Sequence, residues 1–263
     1  MSVSVAGHFG EWLQGRLGPA EPVALVTVAC PALAVHARSG QATMEPEPGG
    51  DICPAAFFAQ LGIADPRPLE ISCDMPLGGG AGASTARLVA LARAGGFDGP
   101  PDMLARACLA VEGASDPLMY PEPDALLWAS RSARVLQKLP RPPACEILGG
   151  FWGAPIPTDP EDMRFPDIAD LAEDWLDAVT AGDLGKVAAL ASESALRCMA
   201  MRGPEDPMAA LASDLGALGH LRAHTGSARG LIFPPGAAPD GVETALRAAG
   251  LTGVLRFRTG RAT

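Results

Sequence analysis

The chain has 263 residues, of which 48% are hydrophobic, and it carries a formal net charge of −10 at pH 7. This length suffices for a sizeable core, in one large domain or two small ones. The acidic balance argues against a nucleic-acid partner, because binding to a phosphate backbone depends on clustered Lys and Arg.

Cysteine and lysine usage restricts the chemistry further. The six cysteines form no C-x-x-C pair, and this pattern indicates reduced, buried residues in a cytoplasmic protein. Lysine occurs only at Lys138 and Lys186, so we do not expect a Schiff-base or Walker-type lysine. The sequence shows neither a secretory leader nor an apolar run long enough to span a membrane, so we expect a soluble protein without a membrane partner.

The first half of the chain mixes strands and helices in the hydrophobic pattern. Alternating and β-branched residues predict strands at 3–5, 23–28, 33–38, 69–73, 126–129, 134–138 and 146–148. Helical spacing predicts helices at 51–61, 84–94 and 101–111.

The second half is richer in helix. Its pattern predicts helices at 168–181, 184–201, 208–221 and 242–249, and strands at 230–233 and 254–257. A proline cluster at 140–143 suggests a boundary there. We therefore expect an α+β protein with domains at residues 1–143 and 144–263.

A glycine-rich segment, MPLGGGAGASTAR at residues 75–87, lies between a predicted strand and a predicted helix. Glycines let a backbone approach an anion closely, and the start of a helix favours negative charge. The hydroxyl of Ser84 or Thr85 could reach a magnesium ion that bridges phosphates. The segment lacks the ending of a P-loop and the context of a dinucleotide fingerprint. The alternative is a turn that only caps the helix.

The same segment resembles the second motif of the GHMP kinases, the superfamily of galactokinase and of homoserine, mevalonate and phosphomevalonate kinases. GHFGEWLQG at 7–15 and ACP at 29–31 resemble the propanediol-utilisation branch, best described for L-threonine kinases of cobalamin synthesis. VEGASDPLMY at 111–120 is similar to the acidic catalytic stretch, and AHTGSARGL at 223–231 to the third glycine motif. The resemblance implies an N-terminal domain resembling part of a ribosomal protein and a ferredoxin-like C-terminal domain.

The function implied by this resemblance is phosphorylation of a hydroxyl group with ATP and Mg2+, most simply of L-threonine to O-phospho-L-threonine. The residues implied to hold ATP are Pro76, Gly78, Gly79, Gly80, Ala81, Gly82, Ala83, Ser84 and Thr85.

Two carboxylates in the acidic stretch fit phosphoryl transfer. Asp116 is the candidate catalytic base, because the attacking hydroxyl must lose a proton and be aimed in line. Glu112 could join Ser84 in holding magnesium, which prefers oxygen ligands, or it could be a solvated residue at a helix end.

Further candidates lie in the first and third motifs. Glu11 could receive the ammonium of an amino-acid acceptor, or it could be a surface residue; His224 and Gly226 are candidate substrate residues in the third motif. His220 and His224 could share a helical face as metal ligands, but we favour motif membership for His224 and a surface or cap role for His220. We expect the first motif, the acidic stretch and the third motif to meet in one cleft.

Departures from the family pattern keep other functions open. Gly79 and Ala83 replace a lysine and a serine, and Arg87 replaces a carboxylate and could contact a phosphate, bind a substrate carboxylate or be solvated. The alternatives are a kinase for another amino alcohol or hydroxy acid, and a nucleotide-binding member without catalysis.

Overall fold

The computed structural model describes residues 2–19, 21–40, 54–64, 68–156, 158–223 and 225–260. In these residues the strands are β1 (Ser2–Arg16), β2 (Val23–Ser39), β3 (Leu69–Cys73), β4 (Leu126–Ala129), β5 (Arg134–Lys138), β6 (Cys145–Phe151), β7 (Gly219–Arg222), β8 (Ala228–Phe233) and β9 (Thr252–Thr259). The helices are α1 (Pro54–Gln60), α2 (Ala83–Ala94), α3 (Pro101–Glu112), α4 (Ala169–Ala181), α5 (Leu184–Arg202), α6 (Met208–Asp214) and α7 (Val242–Ala248).

The strands form one antiparallel sheet that runs through both halves of the chain. Its order is β5-β4-β2-β1-β7-β8-β6-β9, and β3 pairs with β2 beside this path. The first half contributes one end of the sheet and the second half the other, and β1 meets β7 where Glu11 pairs with Arg222. The structure thus combines helices with a large antiparallel sheet, which confirms the α+β fold class predicted from the sequence.

The central strands β1 and β2 are longer than the sequence predicts. The sequence pattern breaks near Pro31, but the structure continues β2 from Val23 to Ser39. The pairing with β1 jumps there, from Ala6 opposite Ala34 to Gly7 opposite Cys30. Proline has no amide hydrogen to donate, and a bulge is one of the few places where a paired strand tolerates it.

Helices pack on this sheet around the segments that carry the motifs. Helix α2 contacts β1 and β2, whereas α5 contacts β1 and β7, and α4 packs on α5. Helices α6 and α7 cover the strands of the second half. The motif-bearing strand β1 is therefore enclosed by helices from both halves of the chain.

The main core joins residues of both halves. The ring of Phe9 contacts the edges of Phe151 and Phe257 at centroid distances of 5.7 and 5.6 Å. The indoles of Trp12 and Trp175 lie 5.8 Å apart. None of the helices formed by the described residues is long and apolar enough to cross a membrane.

Three sequence predictions need correction. The predicted helix at 208–221 ends at Asp214, and residues 219–222 form strand β7, because pairing with β8 and β1 overrides the local helical preference. His220 therefore lies in a strand and is buried, not at the surface. Cys73 is exposed at the end of β3, whereas the other described cysteines are buried as predicted. Residues 51–53, which include Cys53 and the start of the helix predicted at 51–61, lie outside the described residues.

Candidate active site

The glycine-rich segment forms the connection from β3 to α2. Gly78, Gly80 and Gly82 have φ angles of 70°, 73° and 73°, a left-handed conformation that side chains rarely adopt. Gly82 directly precedes α2 and makes no side-chain cap for it. The first turn of an α-helix leaves backbone amides without helical partners. The loop thus ends at the positive pole of a helix, where the first-turn amides have no partner within the helix.

Strand β1 and the turn between β7 and β8 hold this loop in place. The amides of His8 and Gly10 donate to the carbonyls of Ala81 and Gly80 at 3.1 and 3.2 Å. The amides of Ser227 and Ala228 both donate to the Gly79 carbonyl, at 3.0 and 2.8 Å. In a trans peptide the carbonyl and the next amide point in opposite directions. The amides of Ala81 and Gly82 therefore point away from β1.

Asp116 lies against the start of α2. Its backbone amide donates to Oγ1 of Thr85 at 3.2 Å, and its Oδ2 lies 3.2 Å from Nε2 of His8. The carboxylate is 26% exposed, whereas the His8 side chain is buried. A Cβ on Gly82 would stand 2.5 Å from the His8 ring. The carboxylate is thus fixed beside the loop and still reaches solvent.

Glu112, at the end of α3, faces the same helix start. Its Oε2 accepts a hydrogen bond from Oγ1 of Thr85 at 2.9 Å, and Ser84 and Ser115 also donate to the carboxylate. Burial raises the pKa of Glu112 to about 8, although these hydrogen bonds oppose the shift. In such buried surroundings, a charged carboxylate without a nearby cation lowers the stability of the folded protein.

These oxygens fit a magnesium ion. Ser84 is exposed at the helix start and bonded to Glu112, and magnesium takes one or two carboxylates with phosphate oxygens and water. Within the part of the chain that the structure describes, no group of three or more His, Cys, Asp or Glu could hold a metal ion. Such a site would therefore need oxygens from a bound phosphate.

Glu11 is buried next to the same cluster. Its Oε1 lies 3.9 Å from Nδ1 of His8, and its strand neighbour across the sheet is Arg222. Burial by itself would lower the pKa of His8, but the charges of Asp116 and Glu11 and hydrogen bonds to Asp116 and Gly10 raise it to about 9. His8 therefore carries a positive charge between two carboxylates at neutral pH. His8 belongs to the first motif, but its residue type and spacing alone indicate no role for it.

Gly226 packs directly on the glycine loop. Its φ is 108°, and a Cβ there would lie 2.3 Å from the Gly80 nitrogen, so only glycine allows this contact. The structure brings Gly226, Asp116 and the loop together around the start of α2. His224 lies outside the described residues, and Arg87 is half-buried one turn into α2.

A buried charge cluster supports the turn that carries Gly226. Nε of Arg229 binds Oδ2 of Asp206 at 2.6 Å, and Nη1 of Arg222 lies 3.4 Å from the same oxygen. Nη1 of Arg229 also donates to the carbonyls of Ala223, Gly226 and Ala228. Sequence reasoning missed Asp206 because it lies outside every motif, in the connection between α5 and α6.

Comparisons by sequence find no relative: no family model matches the chain, and neither does any curated protein. Comparisons by structure find many. A mevalonate kinase from methicillin-resistant Staphylococcus aureus matches with a TM-score of 0.62 at 15% identity, over 97% of each chain. A putative homoserine kinase from Listeria monocytogenes matches with a TM-score of 0.63 at 15% identity, over 100% of this chain and 99% of the other.

A phosphomevalonate kinase from Streptococcus pneumoniae matches with a TM-score of 0.66 at 12% identity, over 99% of each chain. All three proteins are GHMP kinases, and the matches leave almost no part of either chain uncovered. At these identities the likeness concerns the fold and not the activity. The chain therefore has the GHMP kinase fold.

Proposed function

We propose that this protein is an ATP-dependent kinase that phosphorylates a hydroxyl group of a small molecule, with L-threonine as the favoured acceptor. The observation that carries the proposal is the position of Asp116, a half-buried carboxylate fixed beside a glycine loop that opens a helix. Phosphoryl transfer needs an anion cradle and a group that orients the acceptor and takes its proton. The glycine loop and Asp116 lie next to each other, and this proximity supports the proposal.

The residues have separate tasks in this proposal. The amides of the loop and of the first turn of α2 bind the phosphates of ATP. Asp116 accepts the proton of the acceptor hydroxyl and aims its oxygen in line with the γ-phosphorus. His8 holds the Asp116 carboxylate through its Nε2 and leaves the second oxygen of that carboxylate to the acceptor.

Ser84 and Glu112 would hold magnesium, which when bound neutralises charge on the phosphates. Thr85 connects the two residues, since its hydroxyl donates to the carboxylate of Glu112 and accepts from the backbone amide of Asp116. Glu11, His224 and Gly226 stay predictions for acceptor binding.

The structural neighbours support the class of reaction. One of them, the Streptococcus pneumoniae phosphomevalonate kinase, was solved with phosphomevalonate and AMPPNP, a phosphorylated alcohol and an ATP analogue. The choice of L-threonine depends on the motifs at 7–15 and 29–31 alone. A kinase for another amino alcohol or hydroxy acid, or a nucleotide-binding protein without catalysis, are the alternatives.

The test is ADP release with ATP, magnesium and a panel of hydroxylated compounds that includes L-threonine. Asp116→Asn should lower turnover by roughly 10² to 10⁴, the usual contribution of a positioned acid or base, with ATP affinity little changed. Asp74→Asn is a matched control, because Asp74 also holds a histidine, His36, at 3.2 Å, but in an exposed pair. The control should keep its turnover.

Two outcomes would overturn parts of the proposal. Binding of ATP by the wild type without ADP release, whatever the acceptor, would favour the non-catalytic alternative. Near-normal turnover of Asp116→Asn would remove Asp116 as the base.

A further inference from the structure

The hairpin of β4 and β5 holds the backbone of the candidate base. The amide of Ser115 donates to the carbonyl of Ser130 at 3.0 Å, and Nε1 of Trp128 donates to the carbonyl of Ser115 at 2.7 Å. The amide of Asp116 donates to Thr85. The peptide unit between Ser115 and Asp116 therefore has both of its polar atoms bound, one of them by the hairpin.

The tip of this hairpin has a strained backbone. In the part of the chain that the structure describes, Ala133 is the one residue other than glycine with a positive φ, at 47°. A Cβ makes this left-handed conformation unfavourable, and the Ala133 side chain is also buried. Such strain persists where surrounding contacts enforce it, and it is frequent at functional sites. The tip is thus held in one geometry beside Asp116.

Arg131, at the same tip, reaches a segment of the second half of the chain. Its Nη2 donates to the carbonyls of Asp159 and Asp162 at 3.3 and 3.5 Å. Its guanidinium carbon lies 5.6 Å from the centre of the Phe165 ring. Its Nη1 donates to Oγ of Ser130 at 3.2 Å. Arg131 therefore ties the hairpin tip to the connection between β6 and α4.

These contacts leave the charge of the half-buried Arg131 without close compensation. Its hydrogen-bond acceptors among the described residues are neutral carbonyls and a hydroxyl, and its buried Nε has no hydrogen-bond partner. The carboxylate of Asp162 binds Arg202 instead, at 2.8 Å. A charge with neutral partners still acts on ionisable groups nearby.

Asp116 is the carboxylate that interacts most strongly with this charge. Burial lowers the pKa of the Arg131 guanidinium, and the charge of Asp116 opposes this shift most. The charges of Asp162 and Asp159 oppose it less, and that of Arg202 adds to it. The positive charge of Arg131 is therefore directed mainly at the candidate base.

The other charges around Asp116 have opposite signs. His8 contacts its carboxylate from β1 at 3.2 Å, with Glu11 behind the imidazole ring. Glu112 faces Asp116 from the end of α3 with a like charge. Like charges disfavour each other's ionised form. A second cation, on the hairpin, offsets this repulsion.

We infer that Arg131 is a positioning residue for the candidate base: it locks the hairpin tip that holds the Asp116 backbone, and its charge favours the ionised carboxylate. This inference depends on the proposed kinase function and adds to it a residue that lies outside every motif. Arg131 acts through Asp116 and not on the reacting atoms.

The first test is the pH profile of turnover for Arg131→Gln, with MgATP and the best acceptor of the panel. Loss of the positive charge should raise the acid midpoint, the pH at which kcat falls to half on the acid side, by roughly 0.5 to 1 pH unit. On the plateau, kcat should fall roughly three- to tenfold because the carboxylate is less well aimed. The KM for ATP should not change.

Two further variants separate charge from structure. Arg131→Lys keeps the charge but loses the planar fork, so its acid midpoint should stay close to that of the wild type. Arg134→Gln removes an exposed arginine from the same hairpin and should leave the profile unchanged. An acid midpoint that does not move in Arg131→Gln, or that moves equally in Arg131→Lys or Arg134→Gln, would overturn the inference.

A last measurement does not require turnover. Hydrogen exchange of the Ser115 amide, which binds Ser130, should speed up in Arg131→Gln more than global destabilisation requires, and not in Arg134→Gln. Unchanged exchange in Arg131→Gln would overturn the positioning role even in an active kinase. Faster exchange, in a protein that releases no ADP with any acceptor, would support the lock on the hairpin tip and refute the kinase function.

Discussion

At the scale of single residues, the charge of His8 organises the site. It lies between the carboxylates of Asp116, at 3.2 Å, and Glu11, at 3.9 Å, with almost no access to solvent. Loss of its proton would leave two carboxylates near each other without a cation between them. Loss of a buried positive charge that attracts both carboxylates lowers the stability of the folded protein.

We predict a pH-dependent stability from this residue. The pKa of His8 rises from 6.5 to about 9 on folding, so its contribution is complete below pH 6.5 and is lost as pH rises through about 9. The full contribution is on the order of a few kcal/mol, since one pKa unit corresponds to about 1.4 kcal/mol. Urea unfolding of wild type and His8→Gln at about pH 6, 8 and 10 measures it.

The difference between the two proteins should shrink as pH rises. His36→Gln serves as the control, because His36 pairs with Asp74 in a half-exposed position where ion pairs contribute little. A wild-type advantage over His8→Gln that stays constant across this pH range would contradict a charged His8.

At the scale of elements, the turn from β7 to β8 acts as a brace for the glycine loop. Its amides at Ser227 and Ala228 bind the Gly79 carbonyl, and Arg229 ties three carbonyls in and beside the turn to the buried Asp206. The other oxygen of Asp206 accepts from the amide of Met208 at the start of α6. The loop geometry thus depends on a carboxylate in another connection.

We predict that Asp206→Asn loosens this brace. The substitution leaves two buried arginines without a carboxylate, a loss of roughly 3–5 kcal/mol. Amide hydrogen exchange at Ser227 and Ala228 should speed up more than global destabilisation requires, and affinity for MgAMP-PNP should fall. Exchange measured residue by residue is the appropriate readout, because it does not require turnover.

Leu171→Ala is a control with a similar loss of stability, since truncation of a buried leucine costs roughly 2–5 kcal/mol. Leu171 lies on α4, away from the turn. If Asp206→Asn fails to fold, Arg229→Lys keeps the charge but loses the planar fork that reaches several carbonyls at once. If the amides of Ser227 and Ala228 exchange as fast in Leu171→Ala as in Asp206→Asn or Arg229→Lys, the buried charge cluster does not support the turn.

At the scale of the whole molecule, the two halves share one sheet and the main hydrophobic core. Phe9 from the first half packs on Phe151 and Phe257 from the second, and Trp12 packs on Trp175. The division into domains at 1–143 and 144–263 stays a prediction of the sequence. If it holds, these contacts couple the domains closely.

We therefore predict that both halves unfold in a single transition. Two tryptophans, Trp12 and Trp128, report on the first half, and Trp152 and Trp175 report on the second. Single-tryptophan variants should give the same midpoint in thermal and urea unfolding, because neither half can keep its core without the other. Two separated transitions would show that the halves are independently stable.

Single residues and elements were predictable where local chemistry decides them. Composition, hydrophobic periodicity and the placement of Gly and Pro predict the glycine loop, α2, α3 and the strands at 126–138. The structure confirms the positions of these elements. The identity of β7 was not predictable, because residues 219–222 carry a helical pattern and only pairing with β8 and β1 makes them a strand.

The sequence by itself determined the fold class, because hydrophobic periodicity encodes the helices and strands, and it predicts from short runs of residues that the glycine loop binds phosphate and that Asp116 is the base. Only the tertiary structure decided which side chains surround that base. His8 and Thr85 come from separate segments of the chain, and hydrogen bonds bring both of them to Asp116. Such contacts depend on the register of strands and the docking of helices, which local sequence does not specify.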